Sequence, residues 1–271
     1  MSDIVTIKPQ LCKDIPEAEA LALDNPTKTG EIKLDGVRTL VDISQAHGVV
    51  PYARTGRKFQ HMFELQKLEA LGDALLDGEL ITGEGKIADF AMANGRVKIT
   101  KQHKALISAR DYPIRYIVFD ILRWQGEDVS QKPWHVRNTL LKEIMLSTEG
   151  LLFEMPYSGR LPEIVAHAHQ HGYEGVIIKE HFQPYQYHKR AWRRIKFWWT
   201  TRVLAVEKTE PTGTRLCFGA LLLDGGCKVG QGYTDQQLLD LDKLELPFEI
   251  TIKHYGVLSK DRWRNPIFLN L

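Results

Sequence analysis

The sequence predicts an α+β protein in two parts: a larger domain of mostly antiparallel strands mixed with helices, then a small β-barrel. Three observations predict it. Strand-like and helix-like patterns follow one another through the first 200 residues, without the strict βαβ alternation of a parallel sheet. After Thr200 the strands become short and the turns frequent. The 271 residues are 43% hydrophobic and 26% charged, which supplies a core and argues against wholesale disorder.

Each element has a local reason. Residues 31–43 (EIKLDGVRTLVDI) read as two strands around a turn at Asp35-Gly36, a pair that favours tight turns. Residues 59–74 carry apolar side chains at helical spacing. Residues 75–81 (LLDGELI) return to strand with a second Asp-Gly pair, and 115–122 (RYIVFDIL) form a strongly apolar strand. A helix is expected from Pro133 to Met145, with proline in its first turn, and another over 161–171, beginning near Pro162. Strands follow at 174–179 and around 192–198. Beyond Thr200, the segments RVLAVEKTE, RLCFGALLL, CKVGQGY and FEITIKHYG are short strands, interrupted by a helix over about 234–243. Such a run of about 70 residues suits a five-stranded barrel of the OB type. No Gly/Ser-rich linker separates the parts, so a short hinge is expected near 199–201.

The net charge of +2 and pI near 8.3 give no global basic field, so any nucleic-acid surface must be built from local patches. Cys12, Cys217 and Cys227 form no CxxC pair and are too few for a four-thiolate zinc site; reduced thiols are expected. The N-terminal MSDIVTIKPQL lacks the charge-then-apolar order of a signal peptide, and no apolar run approaches the ~20 residues that span a bilayer. These features predict a soluble, intracellular, cytoplasmic monomer without membrane contact.

The chemistry centres on Lys33-Leu34-Asp35-Gly36-Val37-Arg38. A lysine amine attacks only when neutral, and its ordinary pKa of about 10.4 leaves little neutral amine at pH 7. Desolvation or neighbouring positive charge would lower that pKa. A strand ending in a tight turn can hold the lysine at a pocket mouth, with Arg38 across the turn in reach of a phosphate or ribose oxygen. Taken alone, the hexapeptide also suits a solvated hairpin with ordinary surface charges.

The pattern K-x-D-G-x-R resembles motif I of the covalent nucleotidyltransferases, which include DNA ligases, RNA ligases and mRNA-capping enzymes. Further segments resemble that family's other motifs in the same order: Ala53-Arg54-Thr55-Gly56, Leu76-Asp77-Gly78-Glu79-Leu80, Tyr116-Ile117-Val118-Phe119-Asp120, Glu174-Gly175-Val176-Ile177-Ile178-Lys179 and Trp192-Arg193-Arg194-Ile195-Lys196. The resemblance, strongest to a minimal ATP-dependent DNA ligase, implies a nucleotidyltransferase (ATP-grasp-like) domain with antiparallel sheets at 1–199 and an OB-fold barrel at 200–271. It implies that Lys33 is the catalytic nucleophile and that Glu31 accepts from the adenine amine. Arg38 and Arg54 would meet phosphate or ribose, and Arg54 also the nucleic-acid backbone. Glu79 would hold ribose or metal, Phe119 would stack on the purine, and Glu174 with Glu79 would ligate Mg²⁺ or Mn²⁺. Lys179 and Lys196 would grip the α-phosphate, with Arg194 standing where the family usually has a lysine. Such a set answers the needs of nucleotidyl transfer: an in-line nucleophile, a divalent metal and cations around a shielded phosphorus.

NAD-using relatives read the nicotinamide half with a domain before motif I; with 32 residues ahead of Lys33, ATP is expected instead. Nicked duplex DNA is the expected partner, with an RNA ligase or capping-type enzyme as the nearest alternative and a non-catalytic OB-fold nucleic-acid-binding protein as another. Two basic stretches would hold the nick. One runs from Tyr187 to Arg202 and includes Lys189, Arg190, Arg193, Arg194 and Lys196; the other runs from Arg96 to Arg110 and includes Lys98, Lys101 and Lys104. The family's last basic motif is reduced here, and Arg264, with Arg262 or Lys260, is expected to take its place. His167, His169 and His171 read as a polar helix face. The sequence leaves open whether a virus encodes the chain.

Overall fold

Alternating apolar residues and turn chemistry carry the chain into three five-stranded sheets and a two-stranded ribbon in the computed structural model, which describes residues 7–150, 152–211, 213, 217–259 and 262–271. The chain divides into two units, Met1–Lys196 and Phe197–Leu271. In the first, the order is β1 (Cys12–Asp14), α1 (Glu17–Leu21), β2 (Lys28–Lys33), β3 (Val37–Ser44), β4 (Gly48–Ala53), β5 (Ala74–Ile81), α2 (Phe90–Arg96), α3 (Gln102–Asp111), β6 (Arg115–Trp124), β7 (Glu127–Asp128), α4 (Trp134–Ser147), β8 (Ser158–Gly159), α5 (Leu161–Gln170), β9 (Gly175–Glu180) and β10 (Trp192–Lys196). In the second it is β11 (Trp199–Lys208), β12 (Leu221–Leu223), β13 (Lys228–Val229), α6 (Asp235–Asp242), β14 (Phe248–His254), β15 (Val257–Ser259), β16 (Arg262–Trp263) and β17 (Ile267–Asn270).

The first unit holds two sheets, ordered β1-β10-β9-β2-β8 and β4-β3-β5-β6-β7. All pairs are antiparallel except β1 with β10. The expected hairpin at Asp35-Gly36 is therefore not one. β2 and β3 lie in different sheets, and the turn is a crossover between them. Asp35 is buried, and its N–H donates to the Gly85 carbonyl (2.8 Å) rather than to a hairpin partner. Gly36 is needed because a Cβ there would strike the Leu80 carbonyl and the Ile81 side chain.

Side-chain alternation sets the cores. On β3, Val41 and Ile43 face one core, shared with Leu76, Leu80, Val118 and Leu141. Leu40, on the opposite face, joins Leu75, Leu122, Tyr185 and Trp192, with Phe119, Ile177 and Cys12 packed against them. That second cluster takes residues from both sheets. β6 would serve only one core with each parity, yet Tyr116, Val118 and Ile121 share the first core while Phe119 and Leu122 face the other. A register shift opposite Asp77/Gly78 supplies the extra residue that changes parity, so Phe119 and Leu122, an odd and an even position, face the same cluster. Behind the first sheet, α5 buries Leu161, Ile164, Val165 and Ala168, the spacing of one helix face, close against Gly30.

Residues 59–74, read as an α-helix, form a 3₁₀ segment over Phe63–Leu71. Its buried residues, Leu65, Leu68 and Leu71, recur every third position, which matches three residues per turn better than 3.6. In the second unit, sheet β13-β12-β11-β14-β17 buries Val203, Ala205, Ile250 and Ile252, and α6 covers them with Leu238 and Leu241. Thr234 and Gln237 cap α6 reciprocally (3.2 and 2.8 Å). The ribbon of β15 and β16 and the strand β17 carry no period-two signal long enough to be read from sequence. No helix among the described residues is long and apolar enough to cross a membrane.

Candidate active site

Glu31, Lys33, Lys179, Arg194 and Lys196 share one face of the first sheet because they occupy alternate positions on adjacent strands, while Arg38, Glu79 and Phe119 come from the second sheet. In register, Asp14 lies beside Arg194, Arg194 beside Ile177, and Ile177 beside Glu31. The next row is Lys196, Gly175 and Lys33. Gly175 therefore leaves bare backbone between two lysines, and a Cβ there would run into the Ile195 carbonyl.

Lys33, at the end of β2, forms an ion pair with Glu174. Burial alone would lower its pKa, but Glu174, Glu79 and Asp35 outweigh burial and hold it above the ordinary lysine value. This corrects the expectation of a depressed pKa at the nucleophile. The depressed lysine is Lys196, through burial and then Arg194. Glu79, on β5, is pushed up to about 8, chiefly by burial and against the pull of Lys33 and Arg38.

Glu31 and Lys179 are buried together, Glu31 Oε2 lying 3.2 Å from Lys179 Nζ. Glu31 Oε1 is buried and has no hydrogen-bond partner. Burial raises the Glu31 pKa against the pull of Lys179. The Lys179 ammonium also lies 3.8 Å from the Trp192 ring centroid and 5.0 Å from that of Phe119. Lys179 thus lies against Glu31 and two aromatic rings. Lys196 is the half-buried lysine within electrostatic reach of Lys33 and Glu174.

Arg38 forks onto Asp77, with Nε to Oδ1 at 3.0 Å and Nη2 to Oδ2 at 2.6 Å. Its carbon lies 5.4 Å from the Phe119 ring and 5.3 Å from the Trp192 ring. Arg194 pairs with Asp14, and Arg193, on the other face, pairs with Glu180 (3.0 Å). Sequence reasoning missed Gln10, Cys12, Asp14, Tyr185 and Trp192. Gln10, Cys12 and Asp14 show no local signal, because their place is set by β1 adding to β10, and the Trp192 motif gave that residue no role.

Other expected residues lie apart from this cluster. Arg54 is exposed at the turn after β4, and Lys98, Lys101 and Lys104 are exposed between α2 and α3 or on α3. Arg96, included in that basic stretch, is instead buried: Nη2 donates to the His61 carbonyl (2.9 Å) and pairs with Glu64 (3.1 Å). Lys189 and Arg190 are exposed between β9 and β10, and Arg190 donates to the Cys12 carbonyl (3.1 Å). Arg264 belongs to the second unit, where its backbone pairs with Tyr255 and Gly256. Lys260 falls outside the described residues. His167 stacks on His171 at 4.0 Å while His169 reaches Glu17 at 2.9 Å.

The family model of the ATP dependent DNA ligase domain matches residues 9–197. A DNA ligase of Pyrobaculum neutrophilum is 26% identical over 296 residues, covering 97% of this chain and 50% of the relative. The chain spans about half the length of the curated relatives it matches. These relatives are archaeal and lend no support to a viral origin. Among solved structures, a Lig E DNA ligase superposes with a TM-score of 0.72 at 18% identity, over 97% of this chain and 98% of that one. A mycobacterial DNA ligase D bound to ATP superposes with a TM-score of 0.60 at 19% identity, over 99% and 96%. The fold is the α+β nucleotidyltransferase arrangement with an OB-fold barrel. With the family model spanning residues 9–197, the chain belongs to the ATP-dependent DNA ligase family.

Proposed function

We propose that this chain is an ATP-dependent DNA ligase that seals 5′-phosphate/3′-hydroxyl nicks in duplex DNA through a lysyl-AMP at Lys33. The observation that carries the reading is the pairing of Lys33 with Glu174 beside a buried Glu31 whose Oε1 has no partner. A buried acceptor without a donor suits an exocyclic amine such as that of adenine, and it disfavours guanine's carbonyl at the same place. Phe119 and Ile177, both half-buried in one cluster, offer apolar faces for a base.

In this reading, residues 1–199 are the adenylation domain and 200–271 the OB-fold domain. Lys33 Nζ, once its proton has passed to a neighbouring carboxylate or solvent, bonds to the α-phosphorus of ATP as the bond to the β-phosphate breaks and pyrophosphate leaves. AMP then passes to the 5′-phosphate of the nick, and the 3′-hydroxyl attacks that phosphate and expels AMP. Arg38 serves the sugar or a phosphate, and Lys196, Arg194 and Lys179 supply positive charge around the α-phosphate. Among the described residues no three His, Cys, Asp or Glu side chains gather to hold a metal alone. Two carboxylates plus phosphate oxygens are a common Mg²⁺ shell, and Glu79 and Glu174 fit it. Mg²⁺ or Mn²⁺ would be held by these two carboxylates and would supply positive charge at the phosphate; Glu174, when engaged there, would release Lys33. The protein acts as a cytoplasmic monomer.

Arg54, Lys98, Lys101, Lys104, Lys189, Arg190, Arg193 and Arg264 hold the DNA. Charge reversal at two of them, Lys98→Glu with Lys101→Glu, is expected to weaken nick binding and flatten its dependence on salt, by about 0.9 in slope per lost phosphate contact. Adenylation of Lys33 survives. An unchanged affinity and slope in a binding titration would remove this patch from the interface.

The deciding test is intact mass after stripping bound AMP and incubating with Mg²⁺ and ATP, GTP or NAD. A gain of one AMP with ATP alone, followed by sealing of nicked DNA, supports the reading. A GMP adduct points to a capping-type enzyme, and preferential sealing of nicked RNA to an RNA ligase. No adduct with any nucleotide favours a non-catalytic OB-fold binding protein.

A further inference from the structure

Three buried residues from separate stretches of chain close a ring around Arg38. Gln10 and Tyr185 are each 1% exposed and Asp77 is 0% exposed. The Tyr185 hydroxyl donates to Asp77 Oδ2 (2.6 Å) and accepts from the Gln10 N–H (2.9 Å). Its remaining lone pair faces Arg38 Nη2 at 3.3 Å. Arg38 Nη1 donates to the Gln10 carbonyl at 2.5 Å. The Gln10 side chain in turn accepts from the N–H of Gln186, next to Tyr185. With Nε and Nη2 also bound to Asp77, four of the five guanidinium N–H groups are engaged, which leaves one on Nη1. The Tyr185 ring meets Trp192 edge-on (5.7 Å, 85°), so the residue is held by packing as well.

We infer that Tyr185 is a positioning residue that aims the one uncommitted N–H of Arg38 at the sugar of the bound nucleotide, and so sets the preference for ATP over deoxy-ATP. The inference rests on the ATP-using reading proposed above. Arg38 packs beside both the Phe119 and Trp192 rings, and next to a base stacked on Phe119 the following groups along a nucleotide are those of its sugar. A donor fixed on three sides cannot turn to water when a hydroxyl is missing, and an unpaired buried donor penalises the deoxy analogue. Without the Tyr185 hydroxyl, Asp77 Oδ2 and the Gln10 N–H lose a shared partner and the guanidinium is free to tilt. Lys33 and Glu174 keep their ion pair.

The test compares kcat/KM for Lys33 adenylation by ATP, 2′-deoxy-ATP and 3′-deoxy-ATP in the full chain and in Tyr185→Phe. The unaltered protein is expected to prefer ATP over at least one analogue by about tenfold or more. In Tyr185→Phe that ratio falls to within about threefold, mainly through loss of ATP activity. An equal loss for all three nucleotides, or no preference in the unaltered protein, overturns the inference. Gln10→Ala, which removes only the tie to Gln186, provides a second variant if Tyr185→Phe does not fold, and is expected to lower the same ratio in part. An unaltered protein that takes no AMP from ATP refutes the ligase reading itself, whereas an adduct with an unmoved ratio refutes only the role of Tyr185.

Discussion

Lys33→Arg is expected to give a folded protein that acquires no AMP. The guanidinium keeps the positive charge that Glu174 pairs with, so the sheet face is not left with an unpaired buried carboxylate. It cannot shed its proton near neutral pH, so it supplies no lone pair for attack on phosphorus. The expected loss of adenylation is ~10⁴-fold or more, measured as AMP incorporation by intact mass. Sealing of a nick that already carries 5′-AMP needs no lysyl-adenylate and should persist at a measurable rate. Incorporation of AMP at another residue of the variant would move the nucleophile elsewhere.

Arg137→Ala is expected to cost about 3–5 kcal/mol, because it strands a buried carboxylate. Arg137 and Asp120 are each 1% exposed and joined by two hydrogen bonds, of 2.6 and 2.9 Å. The pair fastens α4 to β6 directly beside Phe119. For a unit of Met1–Lys196, about 2–4 °C per kcal/mol places the fall in melting temperature at ~6–20 °C. Replacing both partners by apolar residues of similar size is expected to cost much less, since no charge is then left unpaired. A thermal melt in which the single variant loses under ~2 °C would show that the pair contributes little.

Much of the site was legible because strand alternation is local. Glu31 and Lys33 are two apart, as are Ile177 and Lys179, and Arg194 and Lys196, so each pair had to share a face once its strand was recognised. The amphipathic spacing of α5 and the apolar run of β6 were legible for the same reason. Where local patterns had two meanings, the reading slipped. Asp35-Gly36 suits a hairpin and a crossover equally, and the difference is made by β5 and by Gly85, far along the chain. Arg96 sits in a basic run, yet Glu64 and the His61 carbonyl draw it inside.

The sequence by itself determined the order of the elements, the α+β class and the motif residues, because these depend on periodicity and residue type over a few positions. Only the tertiary structure decided which strands pair, that β1 brings Gln10, Cys12 and Asp14 to the site, and that Tyr185 closes a ring on Arg38. It also decided that Lys33 is held as an ammonium while Lys196 has the lowered pKa. These properties are sums over groups distant in the chain, and burial and Coulomb interactions depend on where those groups meet in space.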